Sequence, residues 1–212
     1  MNRQNNRIFP SVYLGSVHYY AHLIQSEAPI IEQFDFYQRK TARNRCFIAG
    51  ANGPMALSIP VVHTKQSKLL TRDVRISYDE HWQKQHERSI ISAYNSSPFL
   101  EYYWDEFAPF YQKKFDFLVD FNNGLMEVVL DHLEVESHLK RSQEYADVPE
   151  ELDLRSLVNI KFPLDKDSHY KVQPYRQVFA EKYPFEPNLS ILDLLFNKGP
   201  EAIDVLEASI VK

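Results

Sequence analysis

Glycine and cysteine are scarce in this 212-residue chain, which holds five of the first and one of the second. No pair among Gly15, Gly50, Gly53, Gly124 and Gly199 has the spacing of a dinucleotide-binding, P-loop or nucleophile-elbow motif, so three common enzyme signatures are excluded by position. The lone Cys46 rules out an internal disulfide and any C-x-x-C metal or redox pair, which fits a reducing compartment; cytoplasm is the expected location. Long apolar runs are missing as well. None approaches the roughly 18 residues of a transmembrane helix, and the stretch behind the polar Met1–Phe9 is cut by Pro10, Ser11 and Gly15, so no signal-peptide core is expected. Repeats and low-complexity tracts are absent too.

Aromatic residues, by contrast, are abundant: 13 Tyr, 14 Phe and 2 Trp. With 44% hydrophobic and 25% charged residues, the chain has the composition of a globular protein that can bury a core without staples. Its net charge of −5 hides an uneven distribution. Residues 39–75 carry eight cations (Arg39, Lys40, Arg43, Arg45, Lys65, Lys68, Arg72, Arg75) against Asp73 alone, whereas residues 99–154 carry 14 acids against four bases. A basic middle in an acidic chain suits a small anion, a phosphate or carboxylate, because the summed field would repel a long nucleic acid. Solvated edge cations that oppose aggregation are the other reading of the same segment.

The pattern predicts a short strand at Val12–Leu14, a helix from His18 to about Glu27 that ends before Pro29, and a second strand over Ile30–Tyr37. Residues 45–49 and 55–61 flank Asn52-Gly53, which suits the positive φ of a tight hairpin turn. A further strand is expected at Val74–Ser77 and a helix from Asp79 to Tyr94. Ser97-Pro98 reads as the start of another. Ten aromatics between Phe99 and Phe121, many three or four apart, read as helical core. Residues 145–153 are acidic and carry Pro149, a loop pattern; Ser190 with Asp193 caps a helix that Gly199 ends, and Pro200 opens the last one. Strands early and helices late, with a βα opening, predict an α+β or mixed α/β fold on one core.

Few residues offer chemistry. His18 and His22 lie four apart, so both imidazoles share a helix face; this is half of a zinc motif, but the glutamate of H-E-x-x-H is missing and no third ligand is evident. A substrate-facing pair after the first strand and two partly exposed helix histidines are the other readings. His86 falls four residues after Trp82, which fits ring-on-indole packing, or a general base near neutral pH. Cys46 reads as a small core residue, since no partner base is placed beside it.

Four runs in order carry a resemblance: Tyr37-Gln38-Arg39-Lys40-Thr41-Ala42-Arg43-Asn44-Arg45; Ser58-Ile59-Pro60-Val61; Trp82-Gln83-Lys84-Gln85-His86 with Ser92-Ala93-Tyr94-Asn95-Ser96-Ser97-Pro98-Phe99; and 187–201, from Pro187-Asn188-Leu189-Ser190 to Gly199-Pro200-Glu201. Together they are similar to the WbqC-like protein family over most of the chain, as a single domain spanning 1–212. The resemblance implies a bacterial transferase that passes an acyl or aminoacyl (glycyl-type) group to the amine of a nucleotide-linked amino sugar in surface-polysaccharide biosynthesis. Where the family typically has a His-Gln-Pro or Met-Gln-Pro turn, this chain has Tyr13-Leu14-Gly15-Ser16-Val17-His18.

On this reading His86, His18 and His22 are the expected catalytic residues, and Lys40, Arg43, Asn44, Arg45, Lys84 and Tyr94 the expected substrate-binding ones. Arg43 and Arg45 would hold phosphate from one strand face, the turn 15–22 would line the main pocket, and neither metal nor cofactor is called for. The expected partner is a small, phosphate-bearing molecule, with no nucleic acid and no membrane span. A non-catalytic binding or assembly protein, presenting the basic hairpin and aromatic helices, is the competing class.

Overall fold

The computed structural model describes residues 7–63, 68–135 and 139–211. Lys65 of the basic segment lies outside them. The fold is mixed α/β, with its longer strands first and most helices after. Strand β1 (Ile8–Pro10) pairs in parallel with β2 (Ile30–Glu32), which pairs in parallel with the short β5 (Lys140–Arg141). Helix α1 (Val17–Ile24) joins the first two strands, so the βα opening is present, but its strand lies four residues before the expected Val12–Leu14. The reason is hydrogen bonding. Ile8 starts the pairing with Ile30, Pro10 has no N–H to extend it, and beyond it the Tyr13 N–H goes to the Ala42 carbonyl while Leu14 turns to a φ of 42°. Buried apolar residues at 12–14 therefore line the core without belonging to a sheet.

The hairpin forms, with shorter strands than read and residues 49–54 joining them: β3 (Arg45–Ile48) and β4 (Met55–Ser58) are antiparallel, with Arg45 opposite Ser58 and Ile48 opposite Met55. Gly53 sits in its turn at a φ of 105°, and its N–H donates to the Gly50 carbonyl. Residues 74–77 form only isolated bridges, Arg75 with Phe117 and Val61 with Ile76, in place of the expected strand. Helices α2 (Trp82–Tyr94), α3 (Leu100–Gln112) and α4 (Leu118–His132) follow. Ser97 does not open α3: its Oγ donates back to the Tyr94 carbonyl and closes α2. The aromatic stripe is core. Phe121 packs edge-on against Trp82, Phe110, Tyr111 and Phe115 at 5.3–6.3 Å between ring centres.

Near the C-terminus Ser190 caps α5 (Ile191–Lys198), its Oγ accepting from the Leu192 N–H, and Gly199 ends the helix at a φ of 55° before α6 (Ala202–Ala208). Asp193 does not share in the cap as expected, because the Ser190 N–H donates to the Phe47 carbonyl. Its buried carboxylate accepts from the Tyr175 hydroxyl at 2.7 Å and the Gln177 amide at 2.8 Å, tying the coil at 175–177 to α5. Buried side chains from Phe9 to Leu206 form one contiguous cluster.

Gly124 shows how tightly α4 approaches its neighbour, because a Cβ there would stand 2.6 Å from the Phe110 ring. Alanine normally stabilises a helix interior by about 1 kcal/mol over glycine, but overpacking a filled core costs about 1–3 kcal/mol. Gly124→Ala is therefore expected to destabilise by about 1 kcal/mol in urea melts. A stabilised variant would show that Phe110 gives way freely.

Candidate functional site

A large cleft of about 830 Å³ among the described residues is walled on one side by residues 35–43 and on the other by the segment 145–166. Three cations line it, Arg43, Arg155 and Lys166, against one carboxylate, Asp35, with Gln38, Ser156 and Asn159 adding neutral polar groups. Arg43 is only 3% exposed. Its Nη2 is ion-paired with Asp35, whose other oxygen accepts from the Thr71 hydroxyl at 2.5 Å. The Nε and Nη1 of Arg43 are buried without a hydrogen-bond partner among the described residues. A buried guanidinium with donors to spare is costly unless something accepts from them. Arg155 repeats the pattern more weakly: Nε and Nη2 are committed to Asp153, while Nη1 has no hydrogen bond and lies 3.8 Å from the buried Glu32. Glu32 in turn accepts from the Ser142 hydroxyl and the Ala146 N–H, which sets the loop carrying Tyr145 at the cleft edge.

A second, much smaller cavity, about 30 Å³, lies beside it; the two share Asn159. Gly15, Ser16, His18, Arg45, Asn188 and Ser190 are among its lining residues. It has room for about one water molecule. The first turn thus lines this small cavity, and Arg43 lines the large cleft. Arg43 precedes β3 and turns inward to Asp35, whereas Arg45 begins the strand and donates from Nε to the Ser58 hydroxyl at 2.7 Å. The two arginines consequently serve different cavities.

His18 and His22 are buried, because nearly all of α1 is, on every face. Both Nε2 atoms lie 2.7 Å from one atom, Oδ2 of Asp167, a residue the sequence had not connected to them. Burial lowers both histidine pKa values, although the bond to Asp167 opposes it. Burial would raise Asp167, but the bonds from His18, His22 and the His169 N–H outweigh it and the net direction is down. The Phe162 ring stands between this cluster and the cleft: it lines the cleft and packs on the His18 ring at 5.4 Å.

The remaining expected residues are spread out. His86 is buried, 5.1 Å from Trp82 ring to ring; its Nδ1 is 2.9 Å from the Tyr13 hydroxyl, and it lines none of the cavities described above. That placement is the packing arrangement read from the Trp82 spacing. Burial pushes its pKa down to about 4 against an opposing bond to the Ser58 backbone. Lys84 is exposed on the same helix, and Lys40, at a φ of 58°, is exposed in the turn before β3. Asn44 is half-buried, its amide donating to the Ile59 carbonyl at 2.9 Å. Tyr94 is fully buried beneath the hairpin, where its hydroxyl accepts from the Ala49 N–H. Cys46 is a buried thiol whose pKa burial raises above the usual range, a core residue as read.

A model of the WbqC-like protein family matches residues 11–171 and 166–205. The chain belongs to the WbqC-like protein family. No curated protein and no solved structure matches it. Among the described residues, no helix of this WbqC-like protein is long and apolar enough to cross a membrane. The family match spans both walls of the cleft, including Arg43, Arg155 and Lys166, and takes in His18, His22 and Asp167.

Proposed function

We propose that this WbqC-like protein is a transferase that binds a phosphate-bearing, nucleotide-linked amino sugar in the large cleft and passes an acyl or aminoacyl group to its amine, as part of surface-polysaccharide synthesis. The observation that carries the reading is the buried Arg43 with two unpartnered nitrogens at a cleft that three cations line. A diphosphate offers several oxygens to such donors, and charge-assisted bonds in a partly dry cleft are stronger than on an open surface. Asp35 fixes the guanidinium and leaves its other nitrogens for the ligand. Arg155 and Lys166 would then meet charge farther along the diphosphate, with Tyr145 and Phe162 offering faces to the base or sugar.

The chemical step asks for little from the protein if the donor is already activated. Attack of a neutral amine on a thioester or similar carbonyl forms the amide bond and expels the leaving group. Holding the amine within about 3–3.5 Å of that carbon supplies most of the help. The amine's proton passes to solvent at the mouth of the cleft. One observation favours the competing class: among the described lining residues there is no imidazole, and Asp35, the one carboxylate, is committed to Arg43 and Thr71. A binding protein would need no more than this.

Turnover separates the two. Full-length protein incubated with a nucleoside-diphosphate-linked amino sugar and an acyl thioester is expected to release free thiol and an N-acylated sugar, and Lys166→Ala to raise KM more than it lowers kcat. Tight calorimetric binding without thiol release would leave the binding class. Absence of both, with inorganic pyrophosphate also silent, would remove the cleft as the site.

A further inference from the structure

We propose that His18, His22 and Asp167 form a binding site for a divalent transition cation, with zinc the expected occupant. The three side chains present one ligand atom each, all within 4.8 Å of one another. Two imidazole nitrogens and one carboxylate oxygen are a donor set that zinc takes in four-coordinate sites, with water or a fourth donor completing it. The spacing is built in: residues four apart on α1 bring both rings to one face, and Asp167 reaches them from a segment 145 or more positions away.

Each ligand is also oriented. Asp167 Oδ1 accepts from the His169 N–H at 2.9 Å, which aims Oδ2 at the two histidines. The His18 ring is held between Phe162 and Tyr170, with ring centres at 5.4 and 4.4 Å. Metal sites depend on this kind of outer support as much as on their ligands. Zinc takes neutral imidazoles and an ionised carboxylate, so its uptake at this site should release protons and strengthen as pH rises.

The unmetallated arrangement is a pair of N–H groups on a single oxygen, which needs both histidines in the same Nε2–H tautomer. Seating zinc would replace both bonds, move each ring proton to Nδ1, and widen the 2.7 Å separations to about 3.3 Å, the edge of a tetrahedron with bonds of about 2.0–2.1 Å. Small side-chain rotations supply such a change. The ion would clasp α1 to the segment that carries Phe162 and Lys166, one wall of the cleft. The site itself does not depend on what the cleft binds, and its test needs no sugar.

The experiment uses full-length protein stripped with chelator and titrated with zinc or cobalt alone. One zinc per chain is expected to bind, with the melting temperature rising as zinc is added. Asp167→Asn and His22→Gln should each weaken binding by more than the roughly 10–100-fold that loss of an outer-shell partner costs. Because a variant could fold poorly, the wild type carries an independent readout: bound cobalt should show the intense visible absorption of a four-coordinate centre. A weak six-coordinate spectrum, or equal zinc uptake by wild type and both variants, would overturn the proposal. The exposed His63, His81 and His169 would then account for whatever metal is found. Loss of the metal signal with thiol release intact would sink this site and leave the transferase reading standing; the reverse outcome would do the opposite.

Discussion

Arg43→Ala is expected to do two separable things: lower the unfolding free energy by about 3–5 kcal/mol and abolish binding of phosphate-bearing ligands. The first follows from Asp35. Its side chain is nearly buried, and without the guanidinium it keeps only the Thr71 hydroxyl, so an ionised carboxylate is left in the interior without its counter-charge. For a chain of this length each kcal/mol moves the melting temperature by about 2–4 °C, which makes the loss large in a thermal scan. The second follows from the free Nε and Nη1. The two are separated by an Asp35→Asn, Arg43→Gln double variant, in which neither buried charge remains. It should unfold at higher urea than Arg43→Ala alone, yet show no heat with inorganic pyrophosphate or a nucleoside-diphosphate sugar. Wild-type affinity in that double variant would mean that Arg43 serves Asp35 alone and that the cleft's ligand is held elsewhere. Arg43→Lys is an intermediate case, since an ammonium can meet Asp35 but cannot also extend donors in the guanidinium's plane.

What could be read from the sequence divides along physical lines. The hairpin was legible because Asn52-Gly53 demands a particular backbone, and α5 because Ser190 and Gly199 mark its ends chemically. The aromatic helices were legible from spacing alone. The first strand was misplaced by four residues because Val12, Tyr13 and Leu14 are as buried as strand residues, and burial, not pairing, is what an apolar run reports. The basic segment 39–45 does reach a cleft, but the sequence could not show that Arg43 and Arg45 part company, since the strand begins only at Arg45. The opposite wall was not legible. Asp153 to Tyr170 runs through short 3-10 turns with no periodicity, so nothing local marked Arg155, Phe162, Lys166 or Asp167 as site residues. His18 and His22 were visible as a pair, but their partner is set by tertiary packing across most of the chain.

Stability should fall steeply between neutral and acid pH, and His86 is expected to supply much of the fall. Its folded pKa is depressed to about 4, while in the unfolded chain it returns to about 6.5. The imidazole is neutral in both states above that upper value, so its environment costs nothing there. As pH drops through 6.5 the unfolded chain takes up a proton that the folded one refuses, and stability declines by about 1.4 kcal/mol per pH unit until about pH 4. The whole window amounts to about 3 kcal/mol. His86 is 5% exposed, so solvent screening removes little of this. The cause is structural: the ring sits between Trp82 and Tyr13, with Tyr13 bonded on to Tyr111, and among the described residues no carboxylate offsets its burial. His18 and His22 pull in the same direction, which is why the comparison is made against a single substitution. His86→Gln can still accept from the Tyr13 hydroxyl but does not titrate. Urea melts at pH 7 and pH 4.5 should therefore differ by about 2–3 kcal/mol less in the variant than in the wild type. Parallel pH profiles would mean that His86 is reached by water or by a ligand in solution. The ring would then return to contention as a base, and the core packing around Trp82 would need another explanation for its histidine.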